Sequence, residues 1–161
     1  MDNVIVKRCA PGDDEHREAL LSYITDDRAI AVGGNGVDYH DRENALAQMQ
    51  AVTIYFDKSQ YCPAVQVITT FDAKVKDPDT AINYTKKIVD QLPDEYQNVY
   101  CVHEKDRENN NFHAHIMINP VSAKDGKLFD TSKKHMDQIC EQISQITGSP
   151  NQLIFKRNRK K

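Results

Sequence analysis

Apolar and polar residues recur along this chain with two periods, about two and about 3.6 residues, which mark strands alternating with helices. A short strand is expected over Val4 to Arg8, ended by Pro11-Gly12. A helix follows from Asp14 to Ile24, with Ala19, Leu20, Leu21 and Ile24 as its apolar positions. Ile30-Ala31-Val32 is an extended run that the cluster Gly33-Gly34-Asn35-Gly36 should stop as a turn. These glycines do not form a dinucleotide-binding fingerprint, because no long helix with the right spacing follows. A second helix is predicted over Arg42 to Phe56.

The run Val65 to Phe71 is rich in β-branched residues and reads as a strand. Asp77 and Pro78 then supply an N-cap and a first-turn proline for a helix to Leu92, closed by Pro93, with Ala81, Thr85, Ile88 and Leu92 along one side. A last helix begins after Thr131 or Ser132 and runs to about Ile146, with Met136, Ile139, Cys140 and Ile143 inward and Gly148 as its stop. Leu153-Ile154-Phe155 suits an edge strand.

Between the third and last helices lie two runs of different character. Asn98-Val99-Tyr100-Cys101-Val102 leads into His103, and after a polar stretch from Glu104 the chain reads Phe112-His113-Ala114-His115-Ile116-Met117-Ile118-Asn119. Alternation puts His113 and His115 on one face of their strand. If the two runs pair as an antiparallel hairpin, His103 lands beside them. The chain is then α+β: a central antiparallel sheet with helices on one face, a two-layer sandwich whose histidine face is open.

Composition narrows the class. The chain has 161 residues, 39% hydrophobic and 28% charged, which suits one soluble domain over residues 1–161. No apolar run is long enough to span a membrane, and the N-terminus has no signal-peptide core, so cytoplasmic residence without membrane partners is the expectation. Cys9, Cys62, Cys101 and Cys140 are scattered, with neither zinc-knuckle spacing nor a disulfide framework. The formal net charge of −3 argues against non-specific coating of nucleic acid. Basic residues still concentrate at Lys124, Lys127, Lys133 and Lys134, and in a short tail from Lys156 to Lys161 that is either a solvated end or a phosphate-attracting arm.

Three neutral imidazoles from adjacent strands can hold a divalent cation with coordination positions to spare. His103, His113 and His115 are therefore the candidate metal ligands. Their spacing does not choose among Mg²⁺, Mn²⁺ and Zn²⁺. His16, His40 and His135 each stand alone in polar surroundings and read as surface residues.

His103 followed by Phe112-His113-Ala114-His115-Ile116-Met117-Ile118-Asn119-Pro120-Val121 resembles the metal motif of the relaxase and mobilisation nuclease family, of the HUH endonuclease class. The likeness extends back through the Val65 strand and the Asp77 helix, and forward through Lys124-Asp125-Gly126-Lys127-Leu128-Phe129 to the last helix. It implies an HUH-like sandwich and a site- and strand-specific DNA nickase that acts on single-stranded or hairpin DNA at a transfer origin, for plasmid or integrative-element mobilisation. A divalent ion, Mg²⁺ or Mn²⁺ before Zn²⁺, would be the cofactor, and accessory mobilisation proteins are possible partners. Such enzymes form a 5′-phosphotyrosine and leave a free 3′ hydroxyl.

Of seven tyrosines, none follows His115. Relaxases carry theirs near the N-terminus, on a segment like Leu20-Leu21-Ser22-Tyr23-Ile24-Thr25, which implies Tyr23 as the nucleophile; Tyr39 is the second choice. Family sites also hold an acid that orients a histidine. Many members place it two residues after the first histidine, where this chain has Lys105, so Glu104, Asp106 and Asp72 all stand as candidates. Asn119 could bind substrate or complete a turn. The alternatives are a relaxase-like module that binds an origin without cutting it, and a hydrolase of other phosphodiesters.

Overall fold

The computed structural model describes residues 2–8, 14–61, 63–104 and 111–157. Six strands form one sheet: β1 (Asp2–Arg8), β2 (Ala29–Asn35), β3 (Val65–Thr70), β4 (Asn98–His103), β5 (His113–Ile118) and β6 (Asn151–Arg157). Four helices connect them: α1 (Asp14–Ile24), α2 (Arg42–Tyr55), α3 (Pro78–Asp90) and α4 (Lys133–Thr147). The strand order is β2-β4-β5-β3-β1-β6, antiparallel throughout except for the parallel β1–β6 pair. The architecture is α+β, as the sequence pattern predicts, and β6 lies at an edge.

Local chemistry fixes the helix ends. Asp77 accepts from the Thr80 amide with Pro78 in the first turn, Asp41 accepts from the amides of Glu43 and Asn44, and Ser132 accepts from that of His135. Gly148 closes α4 in the left-handed region, φ 69°. The expected Gly33–Gly36 turn is shorter than the sequence suggests. Gly33, Gly34 and Asn35 continue β2 opposite Tyr100, Val99 and Asn98, and only Gly36 takes a positive φ, 75°. A Cβ on Gly33 would meet the Tyr100 ring at 2.3 Å, so the glycine admits an aromatic ring across the strand.

The expected single helical layer needs correction, because helices pack on both faces. On one face Val4, Val6, Val65, Val67, Val102, Ala114, Ile116 and Ile118 meet Ala81, Ile88 and Val89 of α3 and Met136, Ile139 and Ile143 of α4. On the other, Val99, Cys101 and Met117 meet Leu21 and Ile24 of α1 and Ala45 and Met49 of α2. The physical reason lies in the histidine face itself. Along it β4 and β5 carry imidazoles at one end and apolar residues at the other, and the apolar end must be shielded from water. Helices α1 and α2 shield it, and α1 ends beside the histidines.

Candidate active site

Strand pairing assembles the cluster. In the β4–β5 ladder His103 lies opposite His113 and Cys101 opposite His115. Ring centroids are 4.7 Å apart for His103 and His115, 5.1 Å for His113 and His115, and 5.2 Å for His103 and His113. One ring nitrogen from each lies within 4.8 Å of the others, close enough to share an ion. Each imidazole also makes a hydrogen bond through one ring nitrogen. His103 Nε2 is 3.1 Å from the Ile24 carbonyl, and His113 Nδ1 is 3.4 Å from that of Asn111; both carbonyls accept. The Gln66 side-chain amide lies 3.0 Å from His115 Nδ1. As placed, it is the Gln66 Nε2 amine that donates to Nδ1; with the amide turned over, its oxygen would accept from Nδ1–H, the tautomer in which His115 ligates a cation through Nε2.

This outer ring of bonds orients the imidazoles as ligand-supporting groups do in metal sites. His103 Nδ1 provides an independent test of fit. It is buried and makes no hydrogen bond among the described residues, which is costly for a polar atom unless a ligand engages it. Burial also holds the His103 imidazole below its ordinary pKa, against the opposing effect of the Ile24 carbonyl; His113 adds to the drop. A neutral imidazole is the form that ligates a metal. Burial pushes the adjacent Cys101 thiol up to about 12, so it remains protonated. The three histidines therefore fit a divalent ion.

Tyr23 comes to this cluster from the last turn of α1. Its ring centroid is 5.8 Å from that of His115 and 6.3 Å from that of His103, with both pairs edge-on. The α1 stripe Arg17-Leu21-Ile24 is buried, which leaves Tyr23 on the flank and 49% exposed. The His103 bond to Ile24 ties the neighbouring residue to a candidate ligand. Arg28 extends over the Tyr23 ring, its Cζ 4.6 Å from the centroid, and Asp26 grips its guanidinium.

Other sequence candidates lie elsewhere. Tyr39 is stacked on His40 at 4.2 Å and contacts Gly34, which pairs with Val99, four residues along β4 from His103. Asn119 is fully buried at the far end of β5, where its amide donates to Met49 O and Gln97 Oε1 and its oxygen accepts from the Val121 amide. Asp72, just past β3, accepts from the Lys74 amide in a turn. Glu104 is exposed beyond His103, and Asp106 lies outside the described residues. The sequence reading missed Gln66, Asp26 and Arg28. Gln66 alone had a signal, as a long polar side chain within a β-branched strand.

The fold and the cluster define a class: an α+β domain with a three-histidine site on central strands and a tyrosine at its rim. The chain belongs to the relaxase family described as MobA/VirD2-like, nuclease domain, which matches residues 23–148. The fold is also similar to a chain solved under the description "Molecular Basis of Vancomycin Resistance Transfer in Staphylococcus aureus", with a TM-score of 0.66, 12% identity, and coverage of 99% of this chain and 100% of that one. No curated protein matches. Among the described residues, no helix is long and apolar enough to cross a membrane.

Proposed function

We propose that this domain is a metal-dependent relaxase that nicks one DNA strand at a transfer origin, with Tyr23 as nucleophile and His103, His113 and His115 as metal ligands. The observation that carries the reading is the half-exposed Tyr23 ring 5.8 Å from the His115 ring, at the edge of a cluster fit to hold a cation. A phosphodiester bound between them would meet a nucleophile on one side and positive charge on the other. When bound, a divalent ion supplies charge that stabilises the phosphoryl oxygens as negative charge grows on them.

The chain's own residues do the rest. The Tyr23 oxygen forms a bond to phosphorus as the bond from phosphorus to the 3′ oxygen breaks. The phenolic proton passes to solvent, and the leaving oxygen takes up a proton to become a 3′ hydroxyl. One phosphoester replaces another, so the reverse attack reseals the strand. The His103 bond to the Ile24 carbonyl holds the end of α1, and so limits the freedom of Tyr23 before substrate arrives. Splayed single-stranded or hairpin DNA suits a site whose nucleophile stands at the rim.

Supercoiled plasmid carrying the transfer origin, incubated with Mg²⁺ or Mn²⁺, should be relaxed with protein attached to the 5′ end of the nick. Tyr23→Phe should abolish the adduct while metal binding persists. An undiminished adduct in that variant would remove Tyr23 from the reaction. Origin binding with no cleavage by the unaltered protein would favour the non-cutting module.

A further inference from the structure

The turn after α1 carries a charge arrangement that local rules disfavour. Asp26 and Asp27 follow the C-terminal end of the helix, where the backbone dipole repels carboxylates. Arg28 offsets this through a specific geometry. Its Nε lies 3.2 and 3.0 Å from the two Asp26 oxygens, its Nη2 lies 2.8 Å from one of them, and its backbone amide donates to Asp26 at 2.9 Å. The fork uses Nε and Nη2 and leaves Nη1 outside it. The Arg28 side chain is 55% exposed, with Cζ 4.6 Å from the Tyr23 centroid.

From this geometry we infer that Arg28 is a phosphate-gripping residue, held by Asp26 so that Nη1 meets a non-bridging oxygen of the phosphodiester that Tyr23 attacks. The inference rests on the Tyr23 reading. A phosphodiester has two non-bridging oxygens, and negative charge on both grows as phosphorus is attacked. The histidine cluster lies on one side of the Tyr23 ring, and Arg28 lies against the ring itself. A phosphorus within reach of the Tyr23 hydroxyl is therefore within reach of a long guanidinium stacked on the same ring. Arginine suits the task because its planar fork serves one carboxylate while a further N–H engages phosphate. Contact with Asp26 first, and with Tyr23 second, raises the guanidinium further above its ordinary pKa, so the charge is permanent.

The test uses the full chain and a synthetic single strand spanning the nick mapped on the origin plasmid. At the scissile position the strand carries either the native linkage or one of the two methylphosphonate diastereomers, each lacking one charged oxygen. Arg28→Ala should slow single-turnover cleavage of the native linkage by about 100-fold, the usual loss of one preorganised donor to a developing oxyanion. Its rate should match the unaltered protein's within about threefold on the diastereomer lacking the Arg28-facing oxygen. Arg28→Lys, which keeps the charge but not the fork, should retain an intermediate rate, as should Asp26→Asn. Equal slowing of Arg28→Ala on all three substrates would mean that Arg28 only shapes the α1 terminus, and would overturn the inference. Mass spectrometry of the unaltered protein's adduct keeps the two readings apart. DNA on a tyrosine other than Tyr23 removes the premise, whereas DNA on Tyr23 with an unimpaired Arg28→Ala variant removes Arg28 alone.

Discussion

At the scale of single residues, the site depends on how each imidazole spends its two nitrogens. His103 and His113 give one nitrogen to a backbone carbonyl, and His115 gives one to Gln66. Gln66 is the only one of these three anchors that substitution can delete. Gln66→Ala should weaken Mn²⁺ binding by about 10- to 100-fold, the usual cost of losing a group that orients a ligand. Calorimetric titration checks this, and unchanged affinity would mean that His115 is held by packing alone. The triad was legible in sequence because alternation and hairpin pairing are local rules. Gln66 was not, because its partner lies 49 residues away and only the β3–β5 register brings them together.

At the scale of elements, β4 and β5 divide their face into an imidazole end and an apolar end, and α1 and α2 cover the latter. Asn119 fastens that cover by joining the carbonyl of Met49 in α2 to Gln97, the residue before β4. Asn119→Ala would leave both acceptors and the Val121 amide without this partner in a buried setting. It should cost about 1–3 kcal/mol of stability by urea unfolding and leave metal affinity unchanged. A loss of metal affinity at normal stability would return Asn119 to the site. The helix bounds were readable because caps and stop signals sit within a few residues of each end. Which face each helix covers was not, since an amphipathic stripe does not name its partner.

For the whole molecule, pH couples folding to the site. The His103 pKa is depressed in the folded state, mainly by burial, so the unfolded chain takes up a proton at a higher pH than the folded one. The metal-free protein should therefore be most stable above pH about 6.5, the ordinary histidine value, and lose stability as pH falls below it. Divalent ions should raise the melting temperature at pH 7.5 and do so less at pH 5.5, because protonated imidazole cannot ligate. Thermal melts at the two pH values, with Mn²⁺ and with chelator, measure both effects. A metal-induced rise that is equal at both would exclude the histidines as ligands.

By itself the sequence determined the order and type of nearly every element, the α+β class, and the pairing of His103 with His113 and His115. These follow from periodicity, capping and hairpin connection, which act over short stretches of chain. Only the tertiary structure decided that α1 and α2 shield the apolar half of the histidine face, that Tyr23 reaches the cluster while Tyr39 stays with the far end of β4, and that Arg28 lies on the Tyr23 ring. Those contacts join segments tens of residues apart, or turn on the direction in which a helix ends, and no local pattern encodes either.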